Sequence, residues 1–159
     1  MGADLISYLL VGPRKIAQAQ IKKAEPLVVA WLAKHKDTAI CENCGQIQDA
    51  ELLDRDEDGK LLLEDVDCDE CGAAELVLVS EKYPDAAAAK KHLRAAVDCW
   101  HAAPSCRDAA VRTNPDNPKE IIICCGELSW GDEPDGAGYN NLKTVCRLPD
   151  PVKDIFGIR

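Results

Sequence analysis

The sequence predicts an α+β fold, in which a small sheet with flanking helices carries an inserted four-cysteine segment. Three observations support this: apolar strand-like runs, apolar residues at helical spacing, and two Cys-x-x-Cys-Gly units. The strand-like runs lie near residues 4–11, 75–80 and 120–125, and the helical spacing covers residues 14–36 and 85–102. A length of 159 residues suits a single domain over residues 1–159, with an insertion at 38–75.

The first strand is apolar on both faces, from Leu5 to Val11, which predicts a central position in its sheet. Gly12-Pro13 closes this run. The following helical stretch is interrupted by Pro26. We therefore expect either a kink or two consecutive helices, with Pro26 in the first turn of the second.

The second half of the chain alternates between strands, helices and turns. Tyr83-Pro-Asp begins a helix, and Pro104 lies just past its end. The remaining predicted parts are a turn-rich connection at 112–119, a buried strand at 120–125, a loop at 126–138 and a helix at about 139–148.

The two cysteine units predict a metal site. They are Cys41-Glu-Asn-Cys44-Gly45 and Cys68-Asp-Glu-Cys71-Gly72. In each unit a tight turn aims two thiols at one ion, and the glycine permits the positive φ that the turn requires. Four soft ligands are typical of tetrahedral structural zinc, and an iron site of rubredoxin type is the alternative with the same ligands.

These units resemble the zinc-ribbon family over residues 38–75. The resemblance implies a β-hairpin between the two knuckles, with arms at 46–53 and 60–66 and a solvated turn at 54–59. It specifies fold and metal and leaves function open.

The predicted turn also resembles a calcium loop. Asp54, Asp56 and Asp58 alternate, Gly59 takes the sixth place and Asp65 the twelfth. A calcium loop of this kind needs a helix on each side, and here the cysteine pairs flank it instead. We therefore favour a solvated acidic turn over calcium binding.

Charge is concentrated in one part of the chain. Residues 38–80 carry two Lys/Arg and thirteen Asp/Glu, a net charge of −11, against −9 for the whole chain. Such a surface repels phosphate, so we expect the partner to be a protein with a basic surface and not nucleic acid. Two alternatives stay open: a hairpin edge that merely resists aggregation, and nucleic-acid binding through residues 1–37, whose net charge is +3.

The cysteine content and the apolar runs predict in which cellular compartment the protein is found. Nine cysteines without an export-like start favour a reducing compartment, and no apolar run reaches the ~18 residues needed to cross a bilayer. We expect a soluble cytoplasmic protein that makes no contact with membranes.

A second candidate site lies in the loop after the last strand. Its side chains would suit a sugar, a nucleotide base or a cation, because loops at the carboxyl ends of strands bind ligands in open α/β folds. They are Ser129, Trp130, Asp132, Glu133 and Asp135. The structural alternative is an ordered loop anchored by Trp130. Together with residues 1–13, this loop resembles uncharacterised open reading frames of phages and plasmids, which implies an accessory or anti-defence protein.

Two functions follow from these patterns. The first is a non-enzymatic zinc-ribbon protein that binds another protein through its acidic surface, as a nucleic-acid-mimicking inhibitor would. The alternative is an enzyme or sensor that binds a nucleotide or a divalent metal through residues 126–139.

Overall fold

The computed structural model describes residues 5–105, 109–128 and 144–159, which form an α+β fold. The strands are β1 (Leu5–Pro13), β2 (Ala39–Cys41), β3 (Leu76–Leu78), β4 (Ala109–Asn114) and β5 (Asn117–Leu128). The helices are α1 (Gln18–Lys34), α2 (Val79–Lys82), α3 (Ala86–Ala102) and α4 (Asp150–Phe156). Within the described ranges, no helix is long and apolar enough to cross a membrane.

The larger sheet is antiparallel, with strand order β1-β5-β4. The prediction that β1 is central is therefore wrong, since β5 holds that place. Leu10 faces the core at 8% exposure, whereas Leu9 is 65% exposed, so the two apolar faces of β1 are not both buried. The other edge of β1 is partly paired, because Val11 and Arg159 exchange two backbone hydrogen bonds of 2.9 Å.

The strand β4 was missed because its turn residues were interpreted as a longer connection. Asn114 pairs with Asn117, so Pro115-Asp116 forms a two-residue turn between β4 and β5. The Asn114 side chain accepts a hydrogen bond from the Asp116 backbone N–H at 3.0 Å, which is the side-chain chemistry typical of turns. At its other end β5 runs to Leu128, so residues 126–128 belong to a strand and not to the predicted loop.

The helices pack on the sheet through regularly spaced apolar faces. Helix α1 is one helix with Pro26 inside it, so of the two expected outcomes, a kink or two consecutive helices, the second is wrong. A proline costs one backbone hydrogen bond, and the packing of the buried helix face outweighs that loss. Helix α3 confirms the prediction for residues 85–102. The buried residues are Ile21, Ala24, Val28 and Leu32 on α1, and Ala89, Leu93, Ala96, Val97 and Trp100 on α3.

Helix α4 was not predicted, although its end signals are present in the sequence. Pro149 is its N-cap and Gly157 ends it at φ 74°, a left-handed conformation that favours glycine. Val152 and Phe156 are 0% and 1% exposed and join the main core. Of the predicted helix at 139–148, residues 139–143 lie outside the described ranges, and residues 144–146 are helical.

The cysteine segment is closed by strands at its two ends. Strand β2 pairs with β3 in antiparallel register, from Ala39 opposite Leu78 to Cys41 opposite Leu76. The predicted hairpin arms at 46–53 and 60–66 are not paired strands. Isolated antiparallel bridges join Leu61 of the second arm to Arg55 of the predicted turn, and Ile47 of the first arm to Ile40, while residues 50–52 form a 3-10 turn. The abundance of Asp and Glu in the arms disfavours regular strands.

Gly12 does not end β1 but lets it approach the core. A Cβ at this position would lie 2.8 Å from Trp100 Cζ2 and 2.9 Å from Ile158 Cγ1. Real side chains almost never come so close, and glycine inside a strand is typical of such an approach. The Trp100 indole is fixed in turn by a 2.9 Å hydrogen bond from Nε1 to the Pro13 carbonyl.

We expect Gly12→Ala to lower the free energy of unfolding by about 1–3 kcal/mol, because an added methyl overpacks this contact. Urea denaturation measures the change. In an Ile158→Ala background one of the two clashes disappears, so the same substitution should cost less. Equal costs in both backgrounds would contradict the proposed clash.

Candidate metal centre

The two cysteine knuckles have the same backbone geometry. Gly45 and Gly72 have φ angles of 77° and 76°, which confirms the positive angle predicted for each turn. Each glycine N–H donates to the carbonyl of the first cysteine of its knuckle, at 2.8 Å to Cys41 and 2.9 Å to Cys68. The second knuckle therefore repeats the first, and each turn presents two sulfurs on one side.

The four thiols meet at one point. The Sγ atoms of Cys41 and Cys71 are 3.6 Å apart, those of Cys44 and Cys68 are also 3.6 Å apart, and all four lie within 4.8 Å of one another. A tetrahedral site with metal–sulfur bonds of about 2.3 Å requires sulfurs about 3.8 Å apart. A disulfide needs about 2.05 Å. The cluster therefore has the dimensions of a four-coordinate metal site, and its donors suit a soft or borderline metal ion.

Burial and hydrogen bonds differ among the four sulfurs. Cys41, Cys44 and Cys68 are buried and Cys71 is exposed. Burial raises the pKa of the Cys44 thiol. A hydrogen bond from the Gln46 backbone N–H acts to lower that pKa but offsets only part of the increase. Burial also acts to raise the pKa of Cys71. Hydrogen bonds from the Asn43 side chain and the Ala73 backbone, with the neighbouring thiols, outweigh it and lower that pKa to about 7. Metal binding must displace the remaining protons.

Gln48 connects the two knuckles from a buried position, at 5% exposure. Its Nε2 donates to Cys68 Sγ at 3.4 Å and to the Gln46 carbonyl at 2.9 Å. Its Oε1 accepts from the Asp69 backbone N–H at 3.2 Å. The amide therefore uses both ends, and it supplies a donor to a sulfur that carries negative charge when a metal is bound.

Arg147 approaches both knuckles from the C-terminal part of the chain. Its guanidinium donates to Gln46 Oε1 at 2.6 Å and to the Cys44 carbonyl at 3.4 Å. On the other knuckle it forms an ion pair with Glu70 at 3.8 Å. Neither Gln48 nor Arg147 was predicted from the sequence, because neither belongs to a motif and Arg147 is about a hundred residues from the first knuckle.

The segment between the knuckles, residues 49–67, is here called the acidic finger. Its base packs against the cysteines through Leu53, Leu63 and Val66. Its tip is a tight turn in which Asp56 Oδ1 accepts backbone N–H groups of Asp58 and Lys60, both at 2.9 Å. The position of the finger is thus tied to the cysteine cluster.

The calcium interpretation finds no support in this turn. Within the described ranges, the cysteines are the one group of three or more His, Cys, Asp or Glu residues whose ligand atoms converge. Asp54, Asp56 and Asp58 therefore do not meet at a common point. The candidate loop residues Ser129, Trp130, Asp132, Glu133 and Asp135 lie outside the described ranges, so a ligand site there stays a prediction.

No protein-family model, no curated protein and no solved structure matches the chain. The zinc-ribbon resemblance therefore rests on the cysteine geometry alone, and the resemblance to phage and plasmid reading frames finds no support.

We expect Gln48→Leu to reduce metal affinity about 10- to 100-fold, as is usual for partners of metal ligands, since it removes the donor to Cys68 and leaves the Asp69 N–H without an acceptor. Competition with a chromophoric chelator measures the affinity. The isosteric Gln48→Glu should weaken binding at least as much, because it places a carboxylate beside the thiolates. Unchanged affinity in both variants would contradict this role.

Proposed function

We propose that Cys41, Cys44, Cys68 and Cys71 bind one zinc ion and that this ion fixes the acidic finger as a binding surface for a basic protein. The convergence of the four sulfurs, within 4.8 Å of one another, is the observation that supports this most directly. Four thiolates fill a tetrahedral zinc site and leave no open position for water or substrate. The zinc is therefore structural, and the protein works by binding rather than by catalysis.

The zinc stabilises the finger through the small apolar cluster around it. Cys41, Cys44 and Cys68 are buried in this cluster, and the base of the finger packs on them. Metal binding at structural zinc sites contributes a folding free energy on the order of 10 kcal/mol. That is far more than the few half-buried leucines at the finger base would supply. Order in the finger thus depends on the metal.

The finger has the charge to attract a basic partner. All nine of its carboxylates are exposed, and within the described residues none of them forms an ion pair; they are Asp49, Glu51, Asp54, Asp56, Glu57, Asp58, Glu64, Asp65 and Asp67. Their mutual repulsion is relieved when cations from another protein approach. The unneutralised charge favours a binding role over that of an inert edge.

The purified protein should contain one zinc per chain, and Cys68→Ser should lose it together with protection of residues 38–78 against proteolysis. Elemental analysis and native mass spectrometry measure the metal, and either identifies iron if that is bound instead. Cys146→Ser is the matched control, because Cys146 lies outside the cluster and should leave the zinc content unchanged. An intact fold without any metal would contradict the proposal.

Charge reversal at the tip of the finger should weaken binding to the native partner, once affinity capture and mass spectrometry have identified it. The variant is Asp54→Lys, Glu57→Lys and Asp58→Lys, which spares the turn-forming Asp56. We expect a loss of at least tenfold in 50 mM salt, on the order expected for several lost charge pairs, and a smaller loss at high salt.

The control for this experiment changes the net charge equally outside the finger, with Asp98→Lys, Asp116→Lys and Asp154→Lys, all at exposed positions. It should bind almost as well as the wild-type protein. Equal effects of the two triple variants would show that only net charge matters. That result would contradict the proposal that the finger is the binding surface.

A further inference from the structure

Two large apolar side chains project from the acidic finger. Leu52 is 70% exposed and Leu62 is 48% exposed, and they are two of the four large apolar residues that stand out among the described residues in this way. Exposing leucine is unfavourable, and single exposed leucines are common. Two exposed leucines on one short acidic segment form an apolar surface feature whose role must be explained.

The backbone pairing explains why Leu62 faces outward. The Leu62 N–H donates to the Asp54 carbonyl at 2.9 Å, and the neighbouring Leu61 bridges to Arg55. Along an extended arm successive side chains point to opposite faces. Leu61 is buried at 7% exposure and Leu63 packs on the cysteine cluster, so Leu62 between them faces the other way.

In the first arm Leu53 packs on the cysteine cluster, whereas Leu52, the last residue of the 3-10 turn, is exposed. Leu52 lies two residues before Asp54, whose carbonyl accepts the Leu62 N–H. Both leucines are therefore exposed and close to this backbone hydrogen bond, on a finger whose base is anchored through Leu53 and Leu63.

Exposed carboxylates flank these leucines along the chain, and within the described residues none of them forms an ion pair. Glu51, Asp54 and Glu64 are immediate or near neighbours along the two arms, and all are exposed. The guanidinium of Arg55 donates instead to the carbonyls of Gly59, at 2.7 Å, and Asp37, at 3.2 Å. The exposed surface of the finger is thus apolar at two points, with anionic residues close to them in the chain.

We infer that the finger binds a basic amphipathic segment of a partner protein, in which apolar side chains cover Leu52 and Leu62 while flanking Lys or Arg residues meet the carboxylates. This inference rests on the proposed function and specifies the partner. Charge complementarity selects this occupant: a second copy would bring carboxylates against carboxylates, and nucleic acid or an anionic membrane would be repelled.

Two synthetic peptides of equal length and charge test the inference by fluorescence anisotropy against the zinc-loaded protein. One carries lysines with leucines at helical spacing, and the other has serine in place of each leucine. The wild-type protein should bind the leucine peptide about tenfold more tightly, since two half-exposed leucines become covered. Binding of both peptides should weaken with salt.

The protein variant Leu52→Ser with Leu62→Ser should lose the preference for the leucine peptide and keep its affinity for the serine peptide. Leu9→Ser is the control, because Leu9 is as exposed but lies on β1. It should retain the preference.

The remaining outcomes separate the two proposals. If the wild-type protein binds both peptides equally, binding through the acidic finger remains supported and the inference of an amphipathic partner segment is wrong. If it binds neither, the proposed function itself fails. A wild-type dimer in sedimentation that Leu52→Ser with Leu62→Ser dissociates would show that a second copy covers the leucines, and would also overturn the inference.

Discussion

The convergence of four sulfurs on one point is the constraint on which the cysteine segment depends. Two knuckles can meet only if the chain between them leaves and returns at the same place, so β2 and β3 pair at the ends while the finger projects between the knuckles. The hairpin arms do not need to form a sheet of their own, because the knuckles already hold both ends. This explains why one isolated bridge within the finger, between Arg55 and Leu61, is enough.

The negative charge of this arrangement would be unfavourable without hydrogen-bond donors and positive charge from other parts of the chain. Four thiolates and one zinc ion would leave a formal charge of about −2 in a segment that is already strongly acidic. The donors that oppose it come from three separate places: Asn43 on the first knuckle, Gln48 just after it, and Arg147 from the C-terminal region. Arg147 touches both knuckles, so it links the cysteine segment to the main body as well as adding positive charge.

The sequence predicted those features that depend on residues close together in the chain. The knuckle glycines and helix α3 follow from turn geometry and helical spacing, and Asp85 caps α3 by accepting the Ala88 N–H at 2.8 Å. Contacts between residues far apart in the chain leave no such local pattern in the sequence. The edge position of β1 depends on β4 occupying the far side of β5, and Arg147 reaches the knuckles only through tertiary packing. The hairpin arms were predicted from family resemblance, and the acidic composition of this chain overrode it.

An acidic surface that forms no ion pairs among the described residues and that exposes leucines lowers stability, so another interaction must compensate for this loss. Surface ion pairs contribute roughly 0–1 kcal/mol each, and leaving carboxylates unpaired forgoes that contribution. Structural zinc supplies a folding free energy on the order of 10 kcal/mol, which exceeds this loss. The proposed metal would thus permit a finger that is too repulsive to stay ordered by its own contacts. Stability supplied at the base would leave the exposed residues, Leu52 and Leu62 among them, free to face the proposed partner.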